Sequence, residues 1–198
     1  MPSKKRTATV KRKTTETNIA IKLDLDGSGK SKVATGIPFL DHMLTLFAKH
    51  GLFDLDIKAK GDLEIDIHHT NEDLGITLGE AFNKALGQKK SIQRYGLGYV
   101  PMEEALVRVV LDFSGRSSVN FVEMINLGEV DGYSLSDVRH FLEGFCRSAG
   151  ITLSVGIKSG SDMHHVLEAL FKGLALACKQ ATRIDKRIKG VPSTKGRI

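Results

Sequence analysis

Apolar residues recur along this chain at two periods, near two and near 3.6, and the places where the period switches mark out the elements. Ile19, Ile21, Leu23 and Leu25 alternate with polar residues, which predicts a half-buried strand; Gly27-Ser28-Gly29 then turns the chain into a second strand, Ser31 to Thr35. Pro38, favoured at a first helical position, opens a helix to about His50 with Gly51 as its stop. Phe53, Leu55, Ile57 and Ala59 alternate with Asp54, Asp56 and Lys58 as the next strand. After the Gly61-Asp62 turn, Leu63, Ile65 and Ile67 alternate again, predicting a strand that ends at His68-His69. Leu74, Leu78, Ala81, Phe82 and Ala85 then share one face of a long amphipathic helix.

The second half has the same order. Ala105 to Phe113 and Ser118 to Ile125 read as strands about a Ser114-Gly115-Arg116 turn, a helix runs from about Ser136 to Ala149 and stops at Gly150, Ile151 to Ile157 alternate as a strand, and Leu167, Leu170, Phe171, Leu174 and Cys178 line a last helix. Strand, strand, helix, strand, helix therefore occurs twice. The expected fold class is α+β, an internal duplication of two similar strand/helix halves, each a mainly antiparallel sheet with helices packed on one face. The halves are expected at residues 1–93, with a basic N-terminal arm, and 94–183, together forming one compact domain.

Composition narrows the function. No apolar run approaches the roughly 20 residues that cross a bilayer. The opening Met1-Pro2-Ser3-Lys4-Lys5-Arg6 has no apolar segment behind it, so it does not read as a secretory signal. Cys146 and Cys178 fall inside apolar helical patterns with no partner at metal-ligand spacing, which fits core thiols in a reducing, cytoplasmic setting. The net charge of +6 admits nucleic acid, an acidic surface or a phosphorylated small molecule. The basic residues gather at the two ends, Lys4 to Lys13 and Arg183 to Arg197, as arms or active-site lids would. With no Trp and no aromatic-basic interleaving to stack bases, neither nucleic acid nor membrane is an expected partner.

The histidines carry the chemistry. Six of the seven stand at matching places in the repeat: His42 and His140 in the short helices, His68-His69 and His164-His165 opening the long ones, each pair followed by a glutamate, Glu72 or Glu168. Residues i and i+4 share a helix face, so His68 with Glu72, and His164 with Glu168, can each grip one ion. His69 and His165 are rotated about 100° away and should address a different ion. Six imidazoles and two carboxylates make a two-metal site with four protein ligands per ion, and the absence of thiolate suits manganese, iron(II) or zinc. Four ligands with room for substrate favour a metal of higher coordination number than tetrahedral zinc.

The blocks Phe39-Leu40-Asp41-His42-Met43-Leu44, His68-His69-Thr70-Asn71-Glu72-Asp73, Asp112-Phe113-Ser114-Gly115-Arg116, His164-His165-Val166-Leu167-Glu168-Ala169-Leu170-Phe171-Lys172 and Gly190-Val191-Pro192-Ser193-Thr194-Lys195-Gly196 resemble the signature of the imidazoleglycerol-phosphate dehydratases, from about Arg6 to Gly196. The resemblance implies a manganese-dependent lyase of histidine biosynthesis that removes water from imidazole glycerol phosphate to give imidazole acetol phosphate. It also implies a large homo-oligomer of 24 subunits whose metal sites lie where subunits meet. Two Mn2+ per active site are implied, one on His42, His69, His164 and Glu168, the other on His68, Glu72, His140 and His165. The substrate phosphate is expected to meet Arg94, Arg116, Lys172, Ser193 and Lys195, with the tail 184–198 closing on it. Glu16 matches a glutamate that contacts the substrate diol, and Glu16 and Glu168 are the candidates for proton transfer. Asn71, in place of a usual aliphatic residue, and Leu46, where glutamine is frequent, depart from the pattern. Two other readings compete with it: a binuclear hydrolase of phosphate esters, and a basic nucleic-acid-binding protein with structural metal.

Overall fold

Alternation in the first half builds a four-stranded sheet. In the computed structural model of the chain, which describes residues 5–123 and 128–198, this half runs β1 (Thr7–Lys13), β2 (Asn18–Asp24), β3 (Ser31–Ala34), α1 (Pro38–Gly51), β4 (Asp54–Lys60) and α2 (His68–Leu86). The second half runs β5 (Tyr95–Met102), β6 (Ala105–Asp112), β7 (Ser118–Glu123), a small hairpin β8 (Glu129–Val130) and β9 (Tyr133–Ser134), then α3 (Leu135–Ala149), β10 (Thr152–Ser159) and α4 (Met163–Thr182). The sheet orders β1-β2-β4-β3 and β5-β6-β10-β7 are the same topology twice. In both, two antiparallel pairings are followed by one parallel pair, β3 with β4 and β7 with β10. The fold is thus the expected α+β duplication.

The inward-facing residues of each sheet, Ile19, Ile21, Leu55 and Ile57 in one and Val107, Val109, Leu153 and Val155 in the other, are buried against the helices. α2 lies on β1 and β2 and packs against α3, and α4 lies on β5 and β6 and packs against α1, so the helices of one half meet those of the other. Aromatic contacts cross the same junction: Phe47, Phe53, Phe82 and Phe145 follow one another at centroid spacings of 5.3, 5.3 and 5.4 Å. At the α2–α3 crossing a Cβ on Gly75 would collide with the carbonyl oxygen of Phe141, and one on Gly79 with that of Phe145, so glycine sets the distance between these backbones. Cys146 and Cys178 are free and buried, and burial pushes both thiols up. Among the described residues no helix is long and apolar enough to cross a membrane.

Several elements differ from the expectations. Leu63 to Ile67 is not a strand: the N–H of Ile65 donates to the Asp62 carbonyl at 2.9 Å in a turn, and Ile65 is 73% exposed. Both edges of β4 are already taken by β2 and β3, so the alternation there has no ladder to join. The basic N-terminal segment is no free arm over 7–13 but strand β1, paired along its length with β2. β5 is an unanticipated strand because its inward positions are Gly96 and Gly98, where any Cβ would meet the α4 carbonyls of Ala177 and Gly173. Its large residues, Tyr95, Leu97 and Tyr99, face outward, which inverts the usual pattern. The first helix includes Gly51, and its left-handed cap falls on Leu52, at φ +58°. Met1 to Lys4, and Met124 and Ile125 at the end of the expected strand 118–125, lie outside the described residues.

Candidate metal centre

Both histidine pairs sit in the first turn of a long helix, and both turns are fixed in the same way. The carboxylates of Asp66 and Asp162, each two residues upstream, accept the backbone N–H of His68 at 3.0 Å and of His164 at 2.7 Å. The short helices α1 and α3 then deliver His42 and His140 from across the junction between halves, α1 to α4 and α3 to α2.

Two clusters result. On the α1–α4 side, Glu168 Oε1 stands 3.1 Å from both His42 Nε2 and His164 Nε2, and the three donor atoms lie within 4.8 Å of one another. On the α2–α3 side, His68 Nε2 is 3.7 Å from Glu72 Oε2, and the His68 and His140 rings meet at 4.4 Å between centroids. Each carboxylate has a cation: Lys172 hydrogen-bonds Glu168, and Arg147 Nη2 donates to Glu72 at 2.7 Å. Burial of Glu168 works to raise its pKa, but the Lys172, His42 and His164 contacts outweigh it and hold the carboxyl at about 2. The Glu168 carboxylate is therefore ionised at neutral pH. His140 Nδ1 is buried with no hydrogen-bond partner among the described residues, a polar atom that burial makes costly.

The second histidine of each pair does not join its neighbour's cluster. His69 Nδ1–H donates to Asp62 Oδ2 at 2.9 Å, with Glu16 Oε2 at 3.9 Å, and His165 Nδ1–H donates to Glu104 Oε2 at 2.8 Å. Those hydrogen bonds to Asp62 and to Glu104 raise the pKa of His69 and His165 respectively. Within one chain each cluster thus has two imidazoles and one carboxylate, and the fourth expected ligand of each set lies elsewhere.

The expected phosphate residues are scattered. Arg94 is engaged: its guanidinium donates twice to Asp112, at 2.6 and 3.0 Å, and once to the Pro192 carbonyl at 2.9 Å, which ties the tail to β6. Ser91 holds the same tail through Gly190 and Ile188. Lys172 belongs to the His42 cluster. Arg116 and Lys195 are exposed, with no side-chain hydrogen bond or ion pair among the described residues, and Ser193 caps its own turn at Lys195 N. Glu16 is 52% exposed beside a hollow of about 320 Å3 between the Thr14–Thr17 turn and Gly61–Glu64. Sequence reasoning missed Asp62, Glu104 and Arg147, whose only signal was charge in loop or helix surface positions. Asn71 is explained by the structure: it is fully buried, its Nδ2 donates to the Asp137 carbonyl at 2.7 Å, and its Oδ1 accepts from Tyr133 Oη at 2.7 Å.

Twofold repetition of one α+β unit, with a histidine-and-carboxylate cluster drawn across each helix junction, defines the class: a duplicated α+β enzyme built around paired imidazole–carboxylate clusters. The family model described as imidazoleglycerol-phosphate dehydratase matches residues 35–178. Imidazoleglycerol-phosphate dehydratase of Thermoanaerobacter pseudethanolicus is 54% identical over 191 residues, covering 96% of this chain and 98% of its own. That of Aromatoleum aromaticum is 50% identical over 194 residues, 98% of this chain and 100% of its own. The crystal structure of the Pyrococcus furiosus enzyme in complex with (S)-C348 superposes with a TM-score of 0.83 at 36% identity, over 96% of this chain and 100% of that one. The chain belongs to the imidazoleglycerol-phosphate dehydratase family, and so to the carbon–oxygen lyases that remove water.

Proposed function

We propose that this chain dehydrates D-erythro-imidazole glycerol phosphate to imidazole acetol phosphate, in the cytoplasmic synthesis of histidine. It would do so with two Mn2+ per active site in a homo-oligomer of 24 subunits. The observation that carries the reading is the pair of clusters at matching places in the repeat, His42, His164 and Glu168 in one and His68, Glu72 and His140 in the other, in a chain that matches the family over nearly its whole length. The residues fit the ions: the donors are imidazole and ionised carboxylate without thiolate, and the partnerless buried Nδ1 of His140 marks a ring not committed to the fold. His69 and His165 would complete the clusters of neighbouring copies, since in their own chain both turn to other carboxylates. The halves 1–93 and 94–183 would act as one unit with the tail 184–198.

When bound, the ions would supply positive charge that stabilises and orients the imidazole ring. The rest falls to side chains. Water loss breaks the C–O bond beside the ring and the C–H bond on the next carbon, giving an enol that becomes the ketone. Glu16, exposed beside His69 and the hollow at Asp62, would hold the diol or take that proton. Glu168, ionised and flanked by Lys172, is the second carboxylate that could move a proton. Lys172, Arg116, Lys195 and Ser193 would hold the phosphate, and Arg94 would act by fastening the tail through Pro192.

The test is to add imidazoleglycerol phosphate to manganese-loaded protein and follow the enolisable ketone with phosphate retained. Ketone formation that stops on chelation and returns with Mn2+ is expected. Full activity after exhaustive chelation, or release of inorganic phosphate instead, would overturn the proposal.

A further inference from the structure

The two halves solve one problem with different residues. The Thr14–Thr17 turn joins β1 to β2, and the Glu103–Glu104 turn joins β5 to β6, so the turns are equivalent in the duplicated topology. Each carries a glutamate aimed at the second histidine of its half. In the second half that glutamate makes the bond: Glu104 Oε2 lies 2.8 Å from His165 Nδ1. In the first half Glu16 stands off at 3.9 Å because Asp62, from the loop after β4, has taken the same nitrogen of His69 at 2.9 Å.

We propose that Asp62 and Glu104 are positioning residues, each accepting the Nδ1–H of His69 or His165 so that Nε2 presents its lone pair to an ion, and that Asp62 thereby releases Glu16. This rests on the metal reading above. An ionised carboxylate only accepts, and a neutral imidazole has one N–H and one lone pair, so the bond dictates which nitrogen is left for metal. A free ring would divide between two tautomers and rotate; a pinned one is ready. The other Asp62 oxygen, Oδ1, is buried with no partner, and His69 is the only hydrogen-bond partner of this side chain among the described residues. That is a poor arrangement for a residue serving the fold alone. Glu104 has a second task, since it also accepts the backbone N–H groups of Ser161 and Asp162 at 3.0 and 2.8 Å ahead of α4. The cleaner test is therefore at Asp62.

Mn2+ alone is titrated by equilibrium dialysis into the metal-free full-length chain, wild type, Asp62→Ala and Asp62→Asn. Wild type should take up two ions per chain. Asp62→Ala should weaken one of them by about 10- to 100-fold and leave the other near wild type, and Asp62→Asn, which keeps an acceptor, should recover part of the loss. In metal-free protein labelled with 15N-histidine, with the His69 signals assigned through His69→Gln, the ring should be Nδ1-protonated in wild type and mixed in Asp62→Ala. A role confined to folding would lower the thermal midpoint and move neither the tautomer nor the ratio of the two affinities. Unchanged affinities, equal weakening of both ions, or an Nε2-protonated His69 in wild type would each overturn the proposal. Wild type that bound no Mn2+ would remove the metal reading instead, and the ring tautomer would still decide the assignment of the hydrogen bond.

Discussion

Removing both partners of the buried Asn71–Tyr133 pair should cost less than the two single losses add up to. Tyr133 is fully buried, its hydroxyl donates to Asn71 Oδ1 at 2.7 Å, and burial drives the phenol pKa well up, so it stays a neutral donor. Asn71 Nδ2 reaches the Asp137 carbonyl at the start of α3, beside the capping box that Asp137 makes with Ser134. Tyr133→Phe removes one neutral hydrogen bond and leaves the amide oxygen dry, a loss of about 1–2 kcal/mol. Asn71→Leu removes both bonds and strands the hydroxyl, about 2–4 kcal/mol, of which the unsatisfied donor alone accounts for about 1–3 kcal/mol. The double variant places leucine against phenylalanine with neither the hydroxyl nor the amide oxygen left orphaned, so its loss should fall short of the sum by about 1–2 kcal/mol. The assay is urea unfolding of the four proteins, metal-free, at one fixed protein concentration so that any assembly equilibrium is held constant. Losses that add within 0.5 kcal/mol (roughly the scatter of independent sites) would refute the account of Asn71 as half of a closed polar pair.

Gly75→Ala should destabilise by about 1–3 kcal/mol by pushing α2 from the Phe141 carbonyl, and should weaken Mn2+ uptake because the same crossing sets His68 against His140; dialysis alongside unfolding checks both. Lys172→Met should raise KM by about 10- to 100-fold through loss of a charged contact worth roughly 1.5–3 kcal/mol, and steady-state kinetics with an unchanged KM and rate would exclude it from the phosphate site. Glu16→Gln should lower kcat with metal content intact, and near-normal turnover would remove Glu16 from proton transfer. The amides of Ser28 and Lys30 hold the Asp54 carboxyl below its usual range, so this contribution to stability is present above the unfolded pKa of about 4 and fades as pH falls through the lower folded value. Asp54→Asn should therefore be less stable than wild type at pH 7, with the gap closing below about pH 4 in thermal unfolding.

Where a residue's job follows from its neighbours in sequence, the chain could be read directly. Pro38 opens α1, Gly150 ends α3 in a left-handed cap at φ +71°, and the i,i+4 geometry of His164 and Glu168 brings their atoms to 3.1 Å. Where the job depends on a distant backbone, it could not. β5 was hidden because α4 approaches so closely that glycine must face inward, and Leu63 to Ile67 mimicked a strand although β4 had no free edge to offer. Asp62 and Glu104 were unreadable for the same reason: a loop carboxylate gains meaning only from the ring that folding sets beside it. Arg94 was expected at the substrate phosphate from its motif alone, and its contacts with Asp112 and the Pro192 carbonyl had no signal in the residues around it.

Because α1 meets α4 and α2 meets α3, neither half of the chain owns a cluster: each is assembled from one histidine of one repeat and a histidine–glutamate pair of the other. Each repeat therefore holds a lone histidine for one cluster and a histidine–glutamate pair for the other, so the two halves carry interchangeable sets of donors. The hairpin glutamates are where that interchangeability stops, since Glu104 bonds its own histidine at 2.8 Å and Glu16 stands off from its own at 3.9 Å.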